Sequence, residues 1–396
     1  MSDPSPLVDL DDILVDGPVS PDTDGVDPER LAIRPPGPGL PESIGWMVLL
    51  FMAQMGTAIV VVAAYSVILV ISGASVHGLQ SVIESLDSTS MLWLFGGPNL
   101  LAFLLIIAVG LLRLRPAPFR QLNVSAPSGT QWLIFATAVL PLGLIADAMW
   151  QHGDDLWSKV VEQFPVLQLL DQSNVVAFME QINGANLPSL LLLLAIVPAV
   201  GEEFVFRGLI GRGLVARWGV IAGVAITSVM FACMHMYPPH VWAVLPIGLV
   251  MHVVYLTTRS FWAPVAFHFI NNGLAAVYAS YGLTGTEGGE TLPGWLTVVA
   301  PFYVILCCAL LWKYRTRYVD DEGRDVSPGY CSVAPPDAVG PTRRRTVRSI
   351  PVMIVMGLIL AVQVGVVARD LIVESGSAAE AGELHDADGG ESSLRL

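Results

Sequence analysis

The chain has 396 residues, of which 54 % are hydrophobic and only 14 % charged, against roughly 25 % charged in a soluble protein. That composition excludes a string of ordinary soluble domains and points to a polytopic membrane protein. The net charge of −14 sits in the two tails: residues 1–43 hold ten acids and two arginines, residues 371–396 hold six acids and Arg395, and the stretch between is nearly balanced. No basic nucleic-acid-binding surface is left, so nucleic acid is not an expected partner.

In chain order, residues 1–43 are rich in Pro, Asp and Gly without apolar periodicity and read as an acidic disordered tail. They lack the basic-then-apolar pattern of a cleaved signal peptide, and the first hydrophobic segment is expected to stay in the membrane. Residues 44–150 hold three accessory spans, Ile44–Ser72, Leu92–Leu112 and Gln131–Trp150, each near the roughly 20 apolar residues a bilayer requires. Asp147, the one charge in the third span, reads as a solvated or capping residue. Residues 151–186 are mixed and amphipathic, an interfacial segment. Residues 187–282 hold four spans, one from Leu187 followed by Trp218–Met236, Val241–Thr258 and Ser260–Tyr281. Residues 283–370 hold two more spans, Trp295–Trp312 and Pro351–Ala368, around a basic loop; 371–396 is an acidic tail. The expectation is an all-α membrane helix bundle of about nine spans. Lys and Arg then fall almost wholly on one side, which places the N-terminus in the cytoplasm and the C-terminus outside. Gly96, Gly97, Gly208, Gly211 and Gly213 read as sites of close helix approach. Cys233, Cys307, Cys308 and Cys331 contain no CxxC pair, which argues against a disulfide framework or a thiolate zinc site.

Ionisable groups at membrane depth are costly and need a reason. Here they cluster. In Gly201-Glu202-Glu203-Phe204-Val205-Phe206-Arg207, Glu203 and Arg207 are one helical turn apart and can pair. Glu202 points about 100° away from Glu203 and is free to face a cavity. A solvated helix end is the competing reading of that motif. Phe231-Ala232-Cys233-Met234-His235 follows near the end of the next span. In His268-Phe269-Ile270-Asn271-Asn272, His268 and Asn272 share a helical face. His252 has no companion at a telling spacing and reads as packing.

These three motifs resemble EExxxR, FxxxH and HxxxN of the CPBP intramembrane protease family, which includes the type II CAAX prenyl endopeptidases and the bacterial Abi proteins. Every fixed position matches, in the family's order, over about a quarter of the chain. The resemblance implies an intramembrane endopeptidase acting on a membrane-associated peptide or protein, prenylated or not, within the lipid bilayer. It implies that Glu202 with His235 activates a water, that His268 and Asn272 donate to the oxyanion, and that Glu203 and Arg207 hold the arrangement. It favours metal-free chemistry. Glu202, His235 and His268 are nonetheless zinc ligands in type and number, and a divalent metal stays open, although HExxH is absent. Two other classes compete: a non-catalytic scaffold or bacteriocin-immunity protein of the same fold, and a transporter or proton channel. Filled catalytic positions weigh against the first, and the lack of repeats against the second.

Helix counting raises one difficulty. Glu202 and His235 meet only if the fourth span continues to about Arg217. His268, eight residues after Ser260, counts as too shallow to join them.

Overall fold

The helices follow from where the sequence starts and stops them. A computed structural model describes residues 37–72, 85–281, 294–327 and 343–391; most of the acidic N-terminal tail, the last five residues and Cys331 lie outside the described residues. Helix α1 is Leu40–Ile71 and opens with Pro41 in its first turn. Helix α2, Ser88–Arg113, is capped by Asp87, whose carboxylate accepts from the backbone N–H of Thr89 and Ser90 at 2.9 and 3.0 Å. After a short α3 (Pro118–Leu122), α4 spans Gly129–Gln163 behind a capping box of Ser128 and Gln131. Helix α4 runs on beyond the Gln131–Trp150 span until Phe164, which the following Pro165 pushes out of helical geometry. A 3₁₀ stretch, Pro165–Ser173, and α5, Val175–Gln181, complete the connection.

From Leu187 to Cys233 the chain is helical for 47 residues, but it doubles back inside that run. Gly219 has φ +75° and ψ 176°, a region open only to glycine. The rings of Phe206 and Phe231 are 5.3 Å apart, whereas a straight helix would separate them by about 37 Å. A Cβ at Gly223 would lie 2.5 Å from the Val215 backbone, so this arm of the hairpin closes on a glycine. We therefore describe α6 as 187–218 and α7 as 220–233. Helices α8 (Pro238–Thr258), α9 (Trp262–Ser280) and α10 (Trp295–Lys313) follow. A two-stranded antiparallel ribbon, β1 (Arg317–Val319) with β2 (Arg343–Arg345), is the small exception to the all-α expectation. Helix α11, Ile350–Glu391, carries on through most of the expected C-terminal tail.

Among the described residues, seven helices are long and apolar enough to cross a membrane. The expected nine differ for two physical reasons. One of the seven is the doubled α6–α7 hairpin. Helix α9 falls short because His268, Asn271 and Asn272 lower its hydropathy, not because it is short: it has 19 residues. The protein is an integral multi-pass membrane protein.

Helix α4 packs along α8, α10 and α11, while α6 packs against α2 and α9. The lysines and arginines of 113–120, 212–217, 259, 313–324 and 343–348 gather at one end of the bundle. There Arg113 pairs with Glu42 at 2.7 Å, Arg212 reaches Gln121, and Arg217 donates to the Pro38 carbonyl. Gly211 lies against His252 of α8, a close helix approach of the expected kind, while Gly213 lies against Pro38 just before α1. At the other end Asn186 N–H donates to Thr89 Oγ1 at 3.0 Å, and Gly184 N–H to the Ala279 carbonyl at 2.8 Å.

Candidate active site

The site is assembled by α6, α7, α8 and α9. Glu203 and Arg207 sit one turn apart on α6 and form an ion pair of 2.8 Å with both side chains fully buried. A solvated helix end is thereby excluded. Arg207 also donates to the Gly248 carbonyl of α8 at 2.8 Å and lies over the Phe231 ring of α7 at 4.7 Å. One guanidinium therefore ties three helices together, which only the planar, multi-donor arginine can do.

Glu203 Oε1 has a second partner. His268 Nδ1 is 3.0 Å away; since a carboxylate only accepts, Nδ1 carries the proton and donates. In the neutral ring Nε2 is then an acceptor, and Asn272 Nδ2 donates to it at 3.2 Å. Asn272 Nδ2 also donates to the Leu194 carbonyl at 3.0 Å. That carbonyl is available because residue 198 is proline and has no N–H to return to it. Residues 191–196 and 204–211 are wound as π-helix on either side of the glutamates, a form that recurs at functional sites. His235, just past the end of α7, is held through Nδ1 at 3.3 Å from the Phe231 carbonyl.

Glu202, His235, His268 and Asn272 line one cavity of about 560 Å³, whose other walls include Leu194, Val244 and Phe178. Glu202 Oε2 is buried there without a hydrogen-bond partner. All six motif residues are thus brought together, four on the cavity and Glu203 with Arg207 behind it. The hairpin at Gly219 answers the first difficulty in helix counting: α6 does continue past Arg217, and Glu202 and His235 lie seventeen and sixteen residues from the reversal.

The second difficulty fails for a different reason. The α8–α9 turn does not lie at the surface. Thr257 to Phe261 are all buried. Thr316 N–H donates to the Thr257 carbonyl at 2.8 Å, Arg344 to the Thr258 carbonyl at 2.9 Å, and Phe261 N–H to the Asn123 carbonyl at 2.9 Å. Gln131 Nε2 bridges to the Tyr314 carbonyl and Thr316 Oγ1 at 3.0 and 3.1 Å. A layer of polar chain covers the turn, so α9 starts deep and His268 is deep with it.

The motifs missed two cavity residues. His240 stands edge-on to His235 with 4.5 Å between ring centroids; its neighbour Pro239 and the start of α8 gave no motif signal. Asp147 is exposed, in keeping with the solvated residue expected, is bonded to Gln151 at 3.0 Å, and also lies on the cavity rim. His252 is buried with neither ring nitrogen partnered, off the cavity and beside Tyr255 at 6.3 Å between centroids. Both ring nitrogens of His268 are hydrogen-bonded, Nδ1 to Glu203 and Nε2 to Asn272, and among the described residues no group of three His, Cys, Asp or Glu is placed to hold a metal ion.

A cavity lined by Glu202, His235, His268 and Asn272 therefore lies inside a multi-pass membrane helix bundle. Residues 184–274 match the family model described as Rce1-like, type II CAAX prenyl endopeptidase Rce1-like. That span holds all six motif residues and supports the CPBP/CAAX protease family, and with it a CAAX-protease-like endopeptidase at the level of the family. No curated protein and no solved structure gives a significant match.

Proposed function

We propose that the protein is an intramembrane endopeptidase in which Glu202 and His235 activate a water for attack on a peptide bond. The observation that carries this reading is the unpartnered, buried Oε2 of Glu202 in a cavity shared with His235, His268 and Asn272. An unfilled carboxylate acceptor that shares a cavity of that size with His235, His268 and Asn272 is a seat for water. Glu202 takes the water proton as the hydroxyl oxygen adds to the carbonyl carbon, then passes it to the leaving amine as the C–N bond breaks. His235, anchored through Nδ1, presents Nε2 to the same water. The substrate carbonyl oxygen replaces His268 Nε2 as acceptor of the Asn272 amide, and His268 joins as a donor when it carries a second proton. Glu203 and Arg207 touch no substrate; they fix the ring of His268. This step needs no metal: Glu202 is the base and the Asn272 amide the oxyanion donor.

The test is cleavage of a quenched-fluorescent peptide library by the purified protein, beside Glu202→Gln, with and without chelator. We expect Glu202→Gln to lose about 10²–10⁴-fold in rate while melting like the wild type, and chelator to change nothing. Near-wild-type turnover by Glu202→Gln would remove it as the base. Loss with chelator and recovery with zinc would move the chemistry to a metal.

A further inference from the structure

We infer that the catalytic cavity is entered from the non-cytoplasmic side of the membrane, so that its substrate is an exported or membrane-anchored polypeptide cleaved at the outer face and not a cytoplasmic prenylated C-terminus. The inference rests on the endopeptidase reading for the word substrate, but the direction of access stands on geometry alone.

The bundle has two ends of opposite character. One gathers the arginines and lysines of 113–120, 212–217, 259, 313–324 and 343–348. The other, marked by the Asn186–Thr89 and Gly184–Ala279 hydrogen bonds, has among the described residues only Lys159 and Arg369 as bases, against Asp87, Asp154, Asp155, Glu162, Asp171 and Glu180. Basic residues flanking membrane helices stay in the cytoplasm, so the base-rich end is the cytoplasmic one.

The cavity rim belongs to the base-poor end. His240 lies in the first turn of α8, and Val176 lies in the 164–181 connection between α4 and α6. Trp150 joins them: its ring is 5.7 Å from His240 and 5.5 Å from Tyr237. Tyr237 in turn donates to Asp154 at 2.9 Å, and Trp157 to Asp171 at 2.8 Å, fastening the rim at that end. Asp147 and Val176 are its exposed members. Towards the base-rich end the way is shut. Phe206, Phe267, Phe135 and Phe261, each nearer the base-rich end of the bundle by its place in the chain than the cavity residues Glu202, His268 and Asp147, are buried, and the polar layer covers the α8–α9 turn. A lipidated tail presented from the cytoplasm would have to pass both. A chain emerging on the outer face meets an open rim with one carboxylate, Asp147, and apolar walls behind it.

Access is tested with the full chain in sealed right-side-out and inside-out membrane vesicles, using a membrane-impermeant maleimide. Asp147→Cys and, on the exposed 3₁₀ stretch at the same end, Gln168→Cys report the rim; Arg324→Cys reports the opposite end. The unsubstituted chain sets the background from its own cysteines. We expect both rim cysteines to label in right-side-out vesicles and Arg324→Cys only in inside-out ones. Labelling of the rim cysteines together with Arg324→Cys in inside-out vesicles would overturn the inference. In parallel, a membrane-impermeant quenched peptide library is added outside each vesicle type and to detergent-solubilised protein. At least tenfold faster cleavage by right-side-out vesicles is expected, and faster cleavage by inside-out vesicles would overturn the inference. No cleavage even in detergent would count against the endopeptidase reading, while the labelling result would still decide the direction of access.

Discussion

Arg207 is the most informative side chain to remove. It makes three buried contacts at once: the 2.8 Å pair with Glu203, the 2.8 Å bond to the Gly248 carbonyl, and the face of Phe231 at 4.7 Å. In Arg207→Ala, Glu203 is left buried with His268 as its one remaining partner. Breaking one side of such a pair costs about 3–5 kcal/mol, because an uncompensated charge stays behind. The orphaned Gly248 carbonyl adds about 1–3 kcal/mol and the lost cation–π contact about 2 kcal/mol. These do not add, since one guanidinium makes all three and Glu203 can relax by taking up a proton. We expect a net loss of about 3–5 kcal/mol. Denaturant unfolding in detergent micelles measures it. The decisive comparison is Glu203→Gln/Arg207→Met, which removes both charges and keeps an acceptor for His268 Nδ1. It should regain at least half of the loss. Unfolding of Arg207→Ala at the wild-type midpoint, or a double variant no better than the single one, would refute the argument that desolvated charge sets the cost.

Gly219→Ala should reduce folded yield and cost about 1–3 kcal/mol, because φ +75° with ψ 176° is denied to alanine; unchanged unfolding would mean that the α6–α7 reversal tolerates another geometry. Pro198→Ala restores an N–H facing the Leu194 carbonyl and should release Asn272, lowering peptide cleavage about tenfold, or roughly 1.4 kcal/mol, with little change in melting; unchanged cleavage would show that this bond does not position Asn272. Gln131→Ala removes the bridge to Tyr314 and Thr316 over the buried turn and should cost about 1–3 kcal/mol, read by the same unfolding assay.

The motif residues were legible in the sequence because ionisable groups in apolar runs stand out, and because a spacing of four puts two side chains on one helical face. The Glu203–Arg207 pair and the freedom of Glu202 follow from that spacing alone. The contact between Glu203 and His268 does not: it joins residues 65 apart, and pattern within one helix says nothing of depth between helices. Helix ends were legible only where a residue forces them. Pro165 ends α4 by sterics, thirteen residues beyond the apolar run that ends at Trp150. Gly219 reverses the chain with no turn dipeptide around it, since it stands between Trp218 and Val220. His240 and Asp147 carried no spacing signal, because their neighbours in the cavity come from other helices.

The depth of His268 shows why hydropathy is least informative at a buried polar site. Counting from a loop assumes that the loop lies at the membrane surface. That fails when other segments bury it, as 114–128, 314–327 and 343–349 do for the α8–α9 turn. The same polar groups that make α9 useful make it a poor span by composition. His268, Asn271 and Asn272 would each cost free energy if left in lipid without partners. In the bundle His268 bonds to Glu203, Asn272 to the Leu194 carbonyl, and Asn271 to Asn272. Two of those three acceptors belong to α6, and one of them exists because Pro198 leaves it free. Helix α9 is therefore stable at that depth only against α6, and α6 keeps its buried carboxylate only against Arg207 and α9. Site and fold are held by the same few bonds, and a substitution that loosens one necessarily weakens the other.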